Sequence, residues 1–122
     1  MNFHNQTAIY LQIAEYIGEQ ILTNRWQPDD KVPSIRELAV QLEVNPNTVQ
    51  RTYDFLQTQE VIYTKRGLGY FVAPAAQTSY LTWRRQQFVE NELPIFFKQL
   101  GLLQMDFVEL KQRYSTYLQP VA

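Results

Sequence analysis

The sequence predicts a mostly helical chain that carries one small β-hairpin, and three observations lead there. Apolar residues recur at spacings of three and four through several stretches. Two of these stretches open with helix-start signals, Ser34 followed by Glu37 and Asn45 followed by Pro46. Directly after them, Val61-Ile62-Tyr63-Thr64 and Tyr70-Phe71-Val72 are β-branched or aromatic runs separated by Lys65-Arg66-Gly67-Leu68-Gly69, the composition of a hairpin with a basic tip. The chain has 122 residues, 45% of them hydrophobic, enough for one compact domain and a small appendage. A further large ligand-binding domain is not expected at this length.

Residues 1 to 7 are polar and include His4, the single histidine. With no candidate ligands near it in sequence, His4 is read as a tail residue rather than a metal ligand or pH switch. From Thr7 to Asn24 a helix is expected, with Tyr10, Ile13, Ala14, Ile17 and Ile21 on one stripe and Gln12, Glu15 and Glu19 on the other side. Leu22 and Trp26 extend the apolar surface into the turn Gln27-Pro28-Asp29-Asp30, which ends the segment before Pro33.

A second helix starts at Ser34, where a hydroxyl and the carboxylate of Glu37 can satisfy each other's backbone N–H groups as a capping box. Ile35, Leu38, Ala39 and Leu42 form its buried stripe; Arg36, Glu37, Gln41 and Glu43 stay wet. A third helix follows, capped by Asn45, with Pro46 at the first position, where a missing N–H costs nothing. At about 100° per residue from Asn47, Val49, Thr52, Tyr53 and Leu56 cluster on one side, whereas Gln50, Arg51 and Asp54 share the other. The outer face is a strip of amide and guanidinium groups, whose paired donors and acceptors match base edges in a DNA major groove. Helix, tight turn and polar second helix is a helix-turn-helix, and the basic hairpin makes it a winged one.

These residues also carry a resemblance. The run from Ile9-Tyr10-Leu11-Gln12-Ile13 through Pro33-Ser34-Ile35-Arg36-Glu37-Leu38-Ala39, Val44-Asn45-Pro46-Asn47-Thr48-Val49 and Gly67-Leu68-Gly69-Tyr70-Phe71-Val72 resembles the DNA-binding domain of the GntR family of bacterial transcription regulators. Three blocks in the right order and spacing make the match specific. It covers residues 7 to 73, and the remaining length is similar to that family's short-tailed, YtrA-like subfamily. The resemblance implies a sequence-specific, homodimeric repressor bound to a near-palindromic double-stranded operator, and control of adjacent transporter genes. The recognition helix would span 46–58 and the wing 63–71. The expected DNA-binding set is Ser34, Arg36, Asn45, Asn47, Thr48, Gln50, Arg51, Lys65, Arg66, Gly67 and Gly69. The chain departs from the pattern near Arg25, at Asp29 and at Glu60, where the family usually has glycine and the turns favour positive φ.

Residues 74–79 read as a small-residue linker, and 80–119 as a C-terminal helical dimerisation unit. From about Ser79 to Leu100, Trp83, Phe88, Val89, Leu93, Phe96, Phe97 and Leu100 give a broad apolar face; Pro94 falls inside and should kink or split the helix. Beyond Gly101, Phe107, Leu110, Tyr114 and Tyr117 repeat at helical spacing. Two helices of this length cannot bury their own apolar face, and a second copy around a two-fold axis is the expected cover. The rival, a small-molecule effector pocket lined by Trp83, Phe88, Phe96 and Phe97, needs convergent polar groups that this stretch hardly offers.

The net charge of −1 excludes a protein that coats nucleic acid by bulk electrostatics, so any DNA contact must use local charge at Arg36, Arg51, Lys65 and Arg66. There is no cysteine, hence no disulfide or thiolate metal site, and no cofactor is expected. No apolar run is long enough for a bilayer and no signal-peptide pattern opens the chain, so a cytoplasmic protein without membrane contact is expected. No nucleophile–base pair, paired carboxylates or phosphate-cradling glycine loop suggests an enzyme. The alternative is a winged-helix interaction or architectural module without an operator. Phe55, about 80° from Asn47, is the residue that points toward it.

Overall fold

The computed structural model describes residues 7–120; the reading of His4 lies outside them. In chain order it contains α1 (Ile9–Leu22), α2 (Ile35–Leu42), α3 (Pro46–Thr58), β1 (Ile62–Lys65), β2 (Gly69–Val72), α4 (Ala76–Gln87), a π-helical turn (Phe88–Glu92), α5 (Leu93–Leu102) and α6 (Phe107–Leu118). This is the mostly helical, winged helix-turn-helix arrangement expected. The chain divides into two compact units between Trp83 and Arg84.

The first unit is built on the stripes read from the sequence. Ile13, Ala14, Ile17 and Ile21 of α1 are buried with Leu38 and Ala39 of α2 and with Val49, Tyr53 and Leu56 of α3. Val32, Val61, Ile62 and Val72 close the same core beneath the hairpin. Each large apolar side chain so buried contributes about 1.5–3 kcal/mol, which holds the three helices in one packing. Two polar groups in this core are satisfied by backbone. The Tyr53 hydroxyl donates to the Pro33 carbonyl at 2.6 Å, and the Thr52 hydroxyl lies 2.8 Å from the Tyr10 carbonyl of α1. Burial, then the neighbouring Tyr70 and Glu37, push the Tyr53 phenol well above the ordinary tyrosine range.

Both anticipated caps are present. Ser34 Oγ accepts from the Glu37 N–H at 3.1 Å while Glu37 Oε1 accepts from the Ser34 N–H at 2.9 Å. Asn45 Oδ1 accepts from the Asn47 N–H at 2.8 Å, with Pro46 opening α3. The helix ends are less expected. At α1, α2, α3 and α5 a residue with φ near +60° follows the last turn: Asn24, Glu43, Glu60 and Gln104. In each case two N–H groups turn back onto the helix; at α3 the Glu60 N–H meets Gln57 O at 3.0 Å and the Val61 N–H meets Leu56 O at 2.9 Å. This is the Schellman ending, in which glycine is the usual left-handed residue. The positive φ at Asp29 and Glu60, and at Asn24 beside Arg25, falls where the family's glycines were missed.

β1 and β2 pair antiparallel, Ile62 with Val72 through Lys65 with Gly69, one residue beyond the expected strands at the tip. The tip is a β-turn closed by the Leu68 N–H on Lys65 O at 2.9 Å. Gly67, its third residue, has φ +78, a value that favours glycine there. The segment before α2 adds a third edge that the sequence did not reveal. Val32 N–H bonds Tyr70 O at 3.0 Å, Val72 N–H bonds Asp30 O at 2.9 Å, and Asp29 N–H bonds Val72 O at 2.8 Å. Tyr63 adds a side-chain tie by donating to Asp29 Oδ1 at 2.8 Å, and that bond raises its phenol pKa.

The expected linker 74–79 is only two turn residues, Pro74 and Ala75, before α4 begins at Ala76. Small residues there serve packing: Ala76 and Tyr80 are buried in the first core. Tyr80 lies against Gly18, where an added Cβ would come within 1.9 Å of the ring. Trp83 likewise departs from the expected dimerisation face. It packs edge-on to Phe55 at 5.0 Å and against Tyr80 at 5.8 Å.

In the second unit, Pro94 splits the helix as anticipated, through a π-helical turn at 88–92 followed by α5, in which Pro94 is the second residue. A proline ring crowds the carbonyl four residues back, here that of Glu90, and the wider π turn relieves this. Arg84 pairs with Glu92 across the turn. Asp106 caps α6 by accepting from the Glu109 N–H at 2.9 Å. None of the residues from Phe88 to Glu92, in α5 or in α6 is buried. Leu93, Leu100 and Leu110 are half-buried, whereas Phe88, Val89, Phe96, Phe97, Phe107, Tyr114 and Tyr117 are exposed.

Candidate nucleic-acid interface

The outer face of α3 is set by its inner one. Because Val49, Thr52, Tyr53 and Leu56 are fully buried, the helical repeat turns Asn47, Gln50, Arg51 and Asp54 outward, and all four are exposed. The turn between α2 and α3 is two residues, Glu43 and Val44, ahead of the Asn45 cap. Left-handed Glu43 lets the chain reverse this tightly, so the angle between the two helices is fixed by backbone hydrogen bonds and the shared core.

Local bonds define what these groups can still do. Ser34 Oγ and Asn45 Oδ1 are engaged as caps, which leaves the Ser34 hydroxyl proton and the Asn45 amide NH₂ to donate outward. Gln50 Nε2 donates to Asp54 Oδ1 at 2.9 Å, so the amide is held along the helix with its carbonyl oxygen available. The Arg51 guanidinium sits over the Tyr10 ring, Cζ 3.9 Å from the ring centroid. Arg36, at the start of α2, is exposed, and no ion pair engages Arg36, Arg51, Lys65 or Arg66 among the described residues. Hydrogen bonds from the Ser34 backbone and side chain lower the Glu37 carboxyl pKa, with a smaller contribution from nearby Lys31.

Asn45, Asn47, Thr48 and Arg51 come together around an open cleft of about 320 Å³ completed by Ala8, Ile9 and Tyr10. The wing residues do not line it. Lys65 rests over Phe71, Nζ 4.6 Å from the ring centroid, while Arg66 and Gly67 project at the tip with nothing within 4 Å of a Cβ placed on Gly67. Gly69 lies against Lys31, whose Cε would be 3.3 Å from an added Cβ. Two groups were missed in the sequence. Lys31 adds a cation at the base of the wing, a placement legible only from its pairing with β2. Asp54 is a carboxylate on the exposed face of α3, an acceptor suited to a cytosine amine. Helical spacing gives its angle but not its bond to Gln50. Phe55, which had suggested a protein-docking face, is half-buried, its ring meeting Tyr10 edge-on at 6.1 Å.

Residues 9–72 match the family described as bacterial regulatory proteins, gntR family. The chain is 35% identical over 115 residues to the uncharacterized HTH-type transcriptional regulator YhcF of Bacillus subtilis, covering 94% of this chain and 93% of that protein. It is also 35% identical over 102 residues to the HTH-type transcriptional repressor YtrA of the same organism, covering 84% and 72%. Among solved structures, a GntR-family regulator from Bacteroides thetaiotaomicron superposes with a TM-score of 0.73 at 44% identity, over 92% of this chain and 97% of that one. The AraR DNA-binding domain, solved in complex with operator ORX1, superposes at 0.53 with 33% identity over 55% and 81%. These relatives are transcriptional regulators and not enzymes. The chain is a member of the GntR family of bacterial DNA-binding transcriptional regulators.

Proposed function

We propose that the protein is a homodimeric, cytoplasmic repressor that reads a near-palindromic operator. Bases would be read by Asn47, Thr48, Gln50 and Arg51, and phosphates held by Ser34, Arg36, Asn45, Lys65, Arg66 and the backbone at Gly67 and Gly69. The observation that carries the reading is the exposed face of α3: capped, anchored from behind by four buried residues, and lined by amide and guanidinium groups. Likeness to a repressor in YtrA supports the sign of regulation, and likeness to AraR bound to its operator supports double-stranded DNA as partner. Dimerisation is supported by Phe88, Phe96, Phe97, Phe107 and Tyr117, large apolar side chains exposed in a unit none of whose described residues is buried. Control of adjacent transporter genes follows from the subfamily resemblance alone. No helix among the described residues is long and apolar enough to cross a membrane.

Selection of bound duplexes from random sequence tests this reading, with sedimentation of the free protein alongside. Enrichment of a two-fold symmetric site by a dimer, with affinity falling steeply as salt rises, is expected. Recovery of no preferred sequence, or a monomer at micromolar concentration, contradicts it.

A further inference from the structure

Tyr10 belongs to α1, yet its ring forms the seat for a side chain of α3. The Arg51 Cζ is 3.9 Å from the ring centroid, within the range of a cation–π contact. The same turn of α3 is pinned to the same residue of α1 by a second bond, from Thr52 Oγ1 to the Tyr10 carbonyl at 2.8 Å. The ring has aromatic support of its own: Phe55 meets it edge-on at 6.1 Å, and Trp83 meets Phe55 edge-on at 5.0 Å. An exposed arginine samples many rotamers and gives up that freedom on binding, so a seat that fixes the guanidinium beforehand strengthens and sharpens recognition. Tyr10 and Arg51 also line the same cleft as Asn47 and Thr48, which places the seat within the reading face.

We propose that Tyr10 is a positioning residue that holds the Arg51 guanidinium for base recognition. The proposal rests on the DNA-reading role given above. The aromatic face, not the hydroxyl, does the holding.

The test uses the full chain and the duplex obtained by selection, with Tyr10→Leu and Tyr10→Phe made in the wild-type and Arg51→Ala backgrounds. Tyr10→Leu should weaken binding about two- to five-fold, the range of an exposed cation–π contact. Discrimination at the base released by Arg51→Ala should fall with it. Tyr10→Phe should behave as wild type, and Tyr10→Leu should change nothing once Arg51 is alanine. An undiminished loss in the Arg51→Ala background, an equal loss in Tyr10→Phe, or unaltered discrimination in Tyr10→Leu each overturns the proposal. An NMR measurement on the wild-type protein without DNA is independent of how the variants fold. Nuclear Overhauser contacts between the Arg51 side chain and the Tyr10 ring, with an upfield-shifted Arg51 Nε–H, are expected, and their absence overturns the seat. A wild-type protein that selects no duplex refutes the DNA reading instead, whatever the NMR result.

Discussion

Gly18 to Ala is the substitution for which the structure and helix propensity give opposite signs. Gly18 lies inside α1, where alanine is favoured over glycine by about 1 kcal/mol in an exposed helix. In this chain the added methyl would fall 1.9, 2.1 and 2.4 Å from three ring carbons of Tyr80. Carbon atoms rest at about 3.5–4.0 Å, so the ring must retreat by roughly 2 Å. Tyr80 is 3% exposed and braced by Trp83, so there is little room for that movement. Overpacking of this kind costs about 1–3 kcal/mol, and loss of part of the Tyr80 burial adds to it. The net expectation is a destabilisation of about 1–3 kcal/mol, measured as a lower urea midpoint at fixed protein concentration so that any association is held constant. A double-mutant cycle isolates the cause. Tyr80→Ala alone should be strongly destabilising, but adding Gly18→Ala to it should be neutral or stabilising by up to about 1 kcal/mol. A Gly18→Ala protein at least as stable as wild type, or additive costs in the double variant, would refute the close packing of α1 on α4.

Glu60→Gly should stabilise the chain by about 0.5–1 kcal/mol, because φ +60 strains a residue with a Cβ while glycine loses more entropy on folding; urea unfolding would detect it. Asn24→Gly should change less, since asparagine tolerates the same region. Tyr53→Phe leaves the half-buried Pro33 carbonyl without its 2.6 Å donor and should cost about 1–2 kcal/mol in the same assay. For Glu37 the sign follows from a lowered pKa. Its stabilising contribution is present above the ordinary value of 4.5 and is lost as pH falls through the lower folded value. Glu37→Gln should therefore unfold at a lower midpoint than wild type near neutral pH, with the gap closing in acid; a gap that widens below pH 4.5 would contradict the capping box as its source.

What could be read in advance was local. Asn45-Pro46 announces a helix start because the cap and the missing N–H act within one turn, and spacing from Asn47 then fixes which side chains face outward. The capping box at Ser34 and the break at Pro94 are legible for the same reason. The left-handed ends at Glu43 and Gln104 have no glycine to announce them, whereas the one at Glu60 was legible only through the glycine that the family usually carries there. The pairing of 29–32 with β2 joins segments some forty residues apart, and no periodicity encodes it. Trp83 shows a different limit. Helical spacing says that the residue is on an apolar face but not which core will take it, and the first unit does. The seat beneath Arg51 depends on two helices and could not be inferred from either.

The division of labour between α3 and the wing is tested most directly by titrating Arg51→Ala and Lys65→Ala against the selected duplex and against random DNA at the same salt. Arg51→Ala should lose about 1–3 kcal/mol on the selected duplex and far less on random sequence, whereas Lys65→Ala should lose the same amount on both, with a shallower salt slope. Equal losses on both duplexes for Arg51→Ala would mean that the α3 face reads no bases.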